Sequence, residues 1–310
     1  MGVQHLAFLT AQASHVESEV YKIKYPDIQY KRIMPVITST PDHAASITFF
    51  SQDGAGQAKL LSERASDFPM ISVDRTKHEV AIENAGIGYD YSEFELGQAM
   101  LLGRPLSTDK AAVAMRVAEE LLDKIALEGN AELGWDGLMN HSAVPKSNAP
   151  VGAAGSGSED WVSKTADEII KDINDLLGDV WSDTLTVEMA DTLLLPAKAY
   201  NLLANTPRST YSDMSVMEWI QRHNIYTSMT GSPLMIQVLR GLETAAAGNK
   251  GRAIAYRRDP EVLRFHLPMP LRFMEPQQHL ITYIVPGIMR IGGLEIRLPK
   301  AIRYLDLIND

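Results

Sequence analysis

The stretch from Ser107 to Gly129, STDKAAVAMRVAEELLDKIALEG, constrains the fold more than any other because its apolar spacing specifies a helix. Ala114, Ala118, Leu121, Leu122 and Ile125 recur at three- and four-residue steps, which places them on one face. Arg116, Glu119, Glu120, Asp123, Lys124 and Glu128 take the remaining turns. Ser107 or Thr108 suits the cap, Asp109 the positive end of the dipole and Gly129 the left-handed stop. About twenty residues at ~1.5 Å rise make a rod roughly 30 Å long. Ala111, Ala112, Ala114 and Ala118 let a sheet or second helix approach closely. Alone, this is a core helix, and function has to be sought in what surrounds it.

The surroundings mix helices and strands without a regular βαβ alternation, so the class is α+β. From Thr40 to Tyr91, ASITFF reads as a strand through Ile47, Phe49 and Phe50, and SQDGAGQ as a flexible turn at Gly54 and Gly56. PMISVD and HEVAIENAGIGYDYS follow as further strands, with Ile71/Val73 and Val80/Ile82 in alternation. These segments form a long hairpin-like excursion, and two strands alone are not stable in water. The excursion therefore folds back on the body or lies on a neighbour. Ser92-x-x-Glu95 is a capping-box signature for a short helix through Leu102, stopped by Gly103 and Pro105. After Gly129, Trp135, Leu138 and Met139 read as buried anchors of a loop.

WVSKTADEIIKDINDLLGDVW is a second amphipathic helix, with Trp161, Ile169, Ile173, Leu176 and Leu177 inward. Asp172, Asn174 and Asp175 fall on its solvated side and lack the spacing of a calcium loop. A buried strand at Thr192 to Leu195 turns at Pro196 into a short helix, and Val216, Trp219 and Ile220 mark another. GSPLMIQVLRGL, RAIAY and the segment from Leu263 to Ile308 are strand-rich, broken by proline and glycine. Before Thr40, Tyr25-Pro26 and Met34-Pro35 favour extended backbone, either a first strand or an arm lying on another subunit.

A chain of 310 residues buries roughly 75% of its unfolded surface and needs no staple. With 0 Cys it has neither disulfides nor thiolate metal sites. The net charge of -10 argues against a dedicated nucleic-acid reader, though not against a protein that encloses nucleic acid. No run is long and apolar enough to span a bilayer, and Met1 leads into GVQHLAFLTAQ without a basic start, so a soluble, unexported protein is expected. No G-x-S-x-G elbow, phosphate-binding G-x-x-x-x-G-K-[ST] loop or H-E-x-x-H helix occurs, and Gly86-Ile87-Gly88 lacks the third glycine of a dinucleotide fingerprint. Arg257, Arg258, Arg264, Arg272, Arg290, Arg297, Lys300 and Arg303 alternate with Asp259, Glu261, Glu275 and Glu295. That alternation favours ion pairs within or between subunits over a phosphate site. No catalytic residue, cofactor or metal is expected. An enzyme with a site assembled from distant residues is the reading from another class.

Several stretches, in order, resemble the major capsid proteins of tailed bacteriophages: YPDIQYKRIMPV, GIGYDYSEFEL, AAVAMRVAEELLDKIALEG, GLMNH, AYRRDPEVLRFHLPMPLRFMEPQ and IVPGIMRIGGLEIRLPKAIRYL. The resemblance implies an HK97-like capsid fold. It carries an N-terminal arm at 1–40, an extended β loop at 41–91 and a peripheral domain with a long spine helix at 92–185, completed by about 278–298. An axial domain would occupy 186–277 with 299–310. The implied function is self-assembly, as pentamers and hexamers, into an icosahedral head shell enclosing phage double-stranded DNA. The shell would assemble in the host bacterial cytoplasm and become part of the virion. DNA contact would be weak and non-specific, no membrane is involved, and scaffold, portal and decoration proteins are candidate partners. The arm begins almost at Met1, so a separate scaffold protein, or none, is expected. An encapsulin-type compartment shell is the alternative on the same fold. Candidate subunit-interface residues are Tyr25, Ile28 and Tyr30 on the arm and Ile47, Phe49 and Phe50 on the loop, whose other possible place is the subunit's own core. Some members of the family cross-link through a loop lysine, and Lys59 and Lys77 lie in the corresponding region without a matching motif.

Overall fold

The computed structural model describes residues 25–55, 70–102, 106–152, 158–209, 211 and 213–308. The first half carries α1 (Tyr30–Ile33), β1 (Val36–Ile37), β2 (Ser46–Ala55), β3 (Ser72–Ala81), β4 (Glu83–Ser92), α2 (Glu93–Leu102) and α3 (Leu106–Glu128). The middle adds β5 (Gly129–Asn130), β6 (Trp135–Asp136), β7 (Lys146–Asn148), α4 (Ala166–Asp183), β8 (Thr192–Leu195), α5 (Ala197–Asn205), α6 (Val216–Arg222), α7 (Ile225–Thr230) and β9 (Met235–Val238). The remainder is β10 (Arg252–Tyr256), β11 (Leu263–His266), β12 (Met269–Phe273), β13 (Gln277–His279), β14 (Thr282–Ile291), β15 (Gly293–Ile296) and β16 (Ile302–Asp306).

A five-stranded sheet, ordered β7-β16-β10-β8-β9, divides the interior into two cores. Side chains alternate across a strand. Leu194 of β8 and Ile254 and Tyr256 of β10 therefore enter one core, and Leu193, Leu195, Ala253 and Ala255 the other. Burial on both faces explains why TLLL and RAIAY read as nearly unbroken apolar runs. The first core is closed by α3 and by a three-stranded sheet ordered β1-β11-β15. The second is closed by α4, α5 and α6.

The spine helix α3 buries Ala114, Ala118, Leu122 and Ile125, as its spacing requires, but Leu121 is 40% exposed on another side. The helix starts at Leu106, so Ser107 and Thr108 lie inside its first turn and not ahead of it. Gly129 ends it with φ +79, and a Cβ there would lie 2.2 Å from the Trp135 carbonyl oxygen, so only glycine fits. Ser92 accepts from the Glu95 N–H at the start of α2, as the capping signature predicts.

Further sequence expectations change. Gly54 lies within β2, which continues to Ala55, and not in a turn; Gly56 lies outside the described residues. Asp172 is buried, not solvated: it accepts from Lys164 Nζ at 2.6 Å and from Trp161 Nε1 at 3.1 Å. Trp161 itself precedes α4, in a 3-10 turn spanning Trp161–Ser163. Burial pushes the Asp172 carboxyl above the usual carboxylate range, against the pull of Lys164 and the Trp161 indole.

The last strands bind segments far away in sequence. β14 pairs with β4 along its whole length, from Thr282↔Ser92 to Ile291↔Glu83. β16 pairs antiparallel with β10 and parallel with β7. Arg252 clamps this junction, with Nε 2.6 Å from Asp306 Oδ1, a bond to the Met139 carbonyl and its guanidinium over the Tyr304 ring.

Candidate functional site

The hairpin β2–β3 has the least support from its own subunit. Its antiparallel register runs without a break from Ser46↔Ala81 to Ala55↔Ser72. Ten-residue strands at ~3.4 Å per residue make a ribbon roughly 34 Å long. Among the described residues, the two strands pair only with each other. Every residue of β3 from Ser72 to Glu79 is exposed. Cross-strand contacts supply the local order. Phe49 stacks on His78 at 4.9 Å, Ser51 lies 3.0 Å from His78 Nε2, and Ser46 donates to Glu79 at 2.6 Å. The Ser46 hydroxyl and the Lys77 ammonium hold the Glu79 carboxyl below its usual range. None of these contacts buries the apolar side chains: Phe50 is 64% exposed, Met70 85%, Ile71 79% and Val73 45%.

The root is the fixed end. Ile82 N–H donates to the Ala45 carbonyl, and Arg290 donates to the Asp42 carbonyl and to Asn84 Oδ1. Ile47 is half-buried beside Gly292, and Phe49 is half-buried with the Arg297 guanidinium over its ring. Of the three hairpin candidates, Phe50 alone stands out from the subunit. Met70, Ile71 and Val73 belong with it. The Ile71/Val73 alternation was visible in the sequence, but which side of the ribbon the body leaves open was not.

The described part of the arm is tied to its own body. Asp123 of α3 accepts from the Gln29 and Tyr30 backbone N–H groups at 2.9 and 2.8 Å, capping α1. β1 pairs in parallel with β11. Tyr30 is completely buried, edge-on to Phe265, with its hydroxyl donating to Glu119, so it leaves the interface set. Burial and the adjacent Glu119 carboxylate push that hydroxyl far above the normal phenol range. Ile28 packs half-buried on the same core. Tyr25 is 48% exposed and lies under the Arg116 guanidinium, 3.5 Å from the ring centre. It is the arm candidate that keeps surface available to a second molecule.

Of the basic cluster, Arg257, Arg264, Arg297 and Arg303 are engaged in ion pairs, mostly with acids outside the alternation seen in the sequence, whereas Arg258 and Arg290 bond to carbonyl or amide oxygens. Glu295 is buried and takes Arg264, Arg297 and His266 together. Arg257 faces Glu188 and Asp191, and Arg303 takes Asp179 and Asp183, all outside the tail. Lys77 pairs with Glu79 at 2.9 Å, and Lys59 lies outside the described residues. Among the described residues, no group of three or more His, Asp or Glu is arranged to hold a metal ion, and no helix is long and apolar enough to cross a membrane.

The β2–β3 ribbon thus leaves a closed two-core body held mainly at its root, with Phe50, Met70, Ile71 and Val73 exposed. No curated protein sequence matches the chain. Among solved structures, the capsid of the Myoviridae phage XM1 matches with a TM-score of 0.77 at 20% identity, over 96% of this chain and 97% of that one. A structure from Mycobacterium phage Bobi matches with a TM-score of 0.63 at 12% identity, over 100% and 99%. A virus-like particle from Pyrococcus furiosus matches less well, with a TM-score of 0.51 at 15% identity over 89% and 91%. These matches carry the fold, which is HK97-like. The family model described as "Major capsid protein" matches residues 56–308, and the chain accordingly belongs to the major capsid protein family.

Proposed function

We propose that the capsid shell formed by this protein is an icosahedral phage head of pentamers and hexamers around double-stranded DNA, and that the β2–β3 hairpin holds it together by lying on a neighbouring subunit. One observation carries the second part: a ribbon roughly 34 Å long keeps Phe50, Ile71 and Val73 in solvent although two strands alone are marginal in water. Pairing with a sister molecule would bury that surface and occupy edges that otherwise invite uncontrolled association. In this reading residues 1–40 are the arm, 41–91 the extended loop, 92–185 with 278–298 the peripheral domain, and 186–277 with 299–310 the axial domain. Tyr25 is the arm's contact residue.

The work is done by interfaces and no reactive centre is assigned. DNA is enclosed through weak, sequence-independent contact, its charge balanced by counterions, since the subunit carries -10. Portal, scaffold and decoration proteins are further partners, and assembly takes place in the host cytoplasm. The test is negative-stain microscopy and size-exclusion chromatography of the parent chain and of a Phe50→Ser, Ile71→Ser, Val73→Ser variant. The parent should give closed particles. The variant should give subunits or capsomers with an unchanged circular-dichroism spectrum. Closed particles from the variant at the parent's yield would overturn the role given to the hairpin.

A further inference from the structure

The hairpin touches its own body mainly at its root, and two features there decide which way it points. The first is a notch. Gly292 stands between β14 and β15, and a Cβ on it would lie 3.2 Å from Ile47 Cδ1 and 2.8 Å from His266 Cβ. Glycine at this position is what lets Ile47 seat against the sheet. The second is a clamp. Arg297 Nε donates to Glu295 Oε1 at 2.5 Å, and its guanidinium lies 5.4 Å from the centre of the Phe49 ring. Glu295 is only 2% exposed and is fixed in turn by Arg264 Nε at 3.2 Å and by His266. The carboxylate is therefore an immobile post, and Arg297 transmits its position to the ribbon.

We infer that Arg297 is a positioning residue for shell assembly: held by the buried Glu295, it clamps Phe49 and, with Ile47 in the Gly292 notch, sets the angle at which the β2–β3 hairpin leaves the subunit. The geometry explains why a contact at the root has leverage. Beyond the root, β3 is exposed from Ser72 to Glu79, so among the described residues the root contacts set the angle. On a ribbon roughly 34 Å long, a tilt at the base becomes a displacement of many ångströms at the far end. A planar guanidinium suits the task, because it can hold a carboxylate at its edge while offering its face to an aromatic ring.

The inference rests on the reading of the hairpin as an intersubunit device, and the test separates the two. The chain has 0 Cys, so Arg75→Cys on the hairpin and Lys171→Cys on the exposed side of α4 introduce a single labelled pair. Spin labels at these sites report the hairpin-to-body distance by pulsed electron resonance. Labelled full-length chain is diluted with unlabelled chain and kept below its assembly concentration, so that only distances within one subunit count. The parent should give one narrow distribution. Arg297→Ala should broaden it, and Phe49→Leu should do the same, since it keeps an apolar side chain but removes the ring. Phe49→Tyr should restore the narrow distribution. Phe49 lies on the ribbon outside both cores, so its variants keep the test alive if Arg297→Ala fails to fold. Narrow, unshifted distributions in both Arg297→Ala and Phe49→Leu would overturn the clamp, whatever the hairpin-surface variant does to particle yield.

Discussion

At the scale of single residues, the buried charges carry the firmest predictions. Lys164 and Asp172 are both almost without solvent and lie 2.6 Å apart. Removing one partner of a buried pair strands the other, which costs about 3–5 kcal/mol. Lys164→Met should therefore lower the unfolding free energy in urea by about that amount, and a loss under ~1 kcal/mol would show that the pair is not structural. Replacing both residues by apolar ones of similar volume should cost less than Lys164→Met alone. The sequence concealed this pair for a definite reason. Asp172 shares its polar spacing with Asn174 and Asp175, and only the turn at Trp161–Ser163, folded back over α4, brings Lys164 to it. Periodicity along a helix cannot report what a preceding loop lays on top of it. Leu121 shows the converse: its residue type suggests the core, while its turn of α3 leaves it 40% exposed.

At the scale of elements, periodicity was a sound guide wherever an element buries one face or both. It marked α3, α4, β8 and β10, and Ser92 and Pro196 punctuate the chain where their chemistry requires. Pairing between distant strands was not legible: nothing local in GIGYDYS indicates that β4 lies beside β14. Two junctions between elements invite mutation. Gly129→Ala forces a Cβ into a φ +79 backbone against the Trp135 carbonyl, so its cost should exceed the ~1–2 kcal/mol of a left-handed residue alone. Thermal unfolding should show the lowered midpoint. Asp123→Ala removes both charge-assisted bonds that hold the start of α1, each worth about 1.5–3 kcal/mol. The segment around Lys31 and Arg32 should then become sensitive to trypsin while the rest of the chain stays resistant. Unchanged cleavage would mean that the buried Tyr30 and β1 hold the segment without Asp123.

At the scale of the whole molecule, charge and topology are the properties to test. Copies carrying -10 each repel at a distance, and salt shortens the reach of that repulsion from ~30 Å at 0.01 M to ~8 Å at 0.15 M. Light scattering should therefore show faster particle growth of nuclease-treated protein as salt rises over this range. Slower growth would mean that attractive ion pairs across interfaces dominate. The strand order has a second effect, on the timing of biosynthesis. β16 is an interior strand of the sheet that walls both cores, and β14 is the partner of β4. A nascent polypeptide halted before Thr282 would have its hairpin sequence but no body able to close behind it. Closure of the body therefore waits until β14 and β16 have been made, and products that stop short of them have no closed body from which to hold the hairpin out.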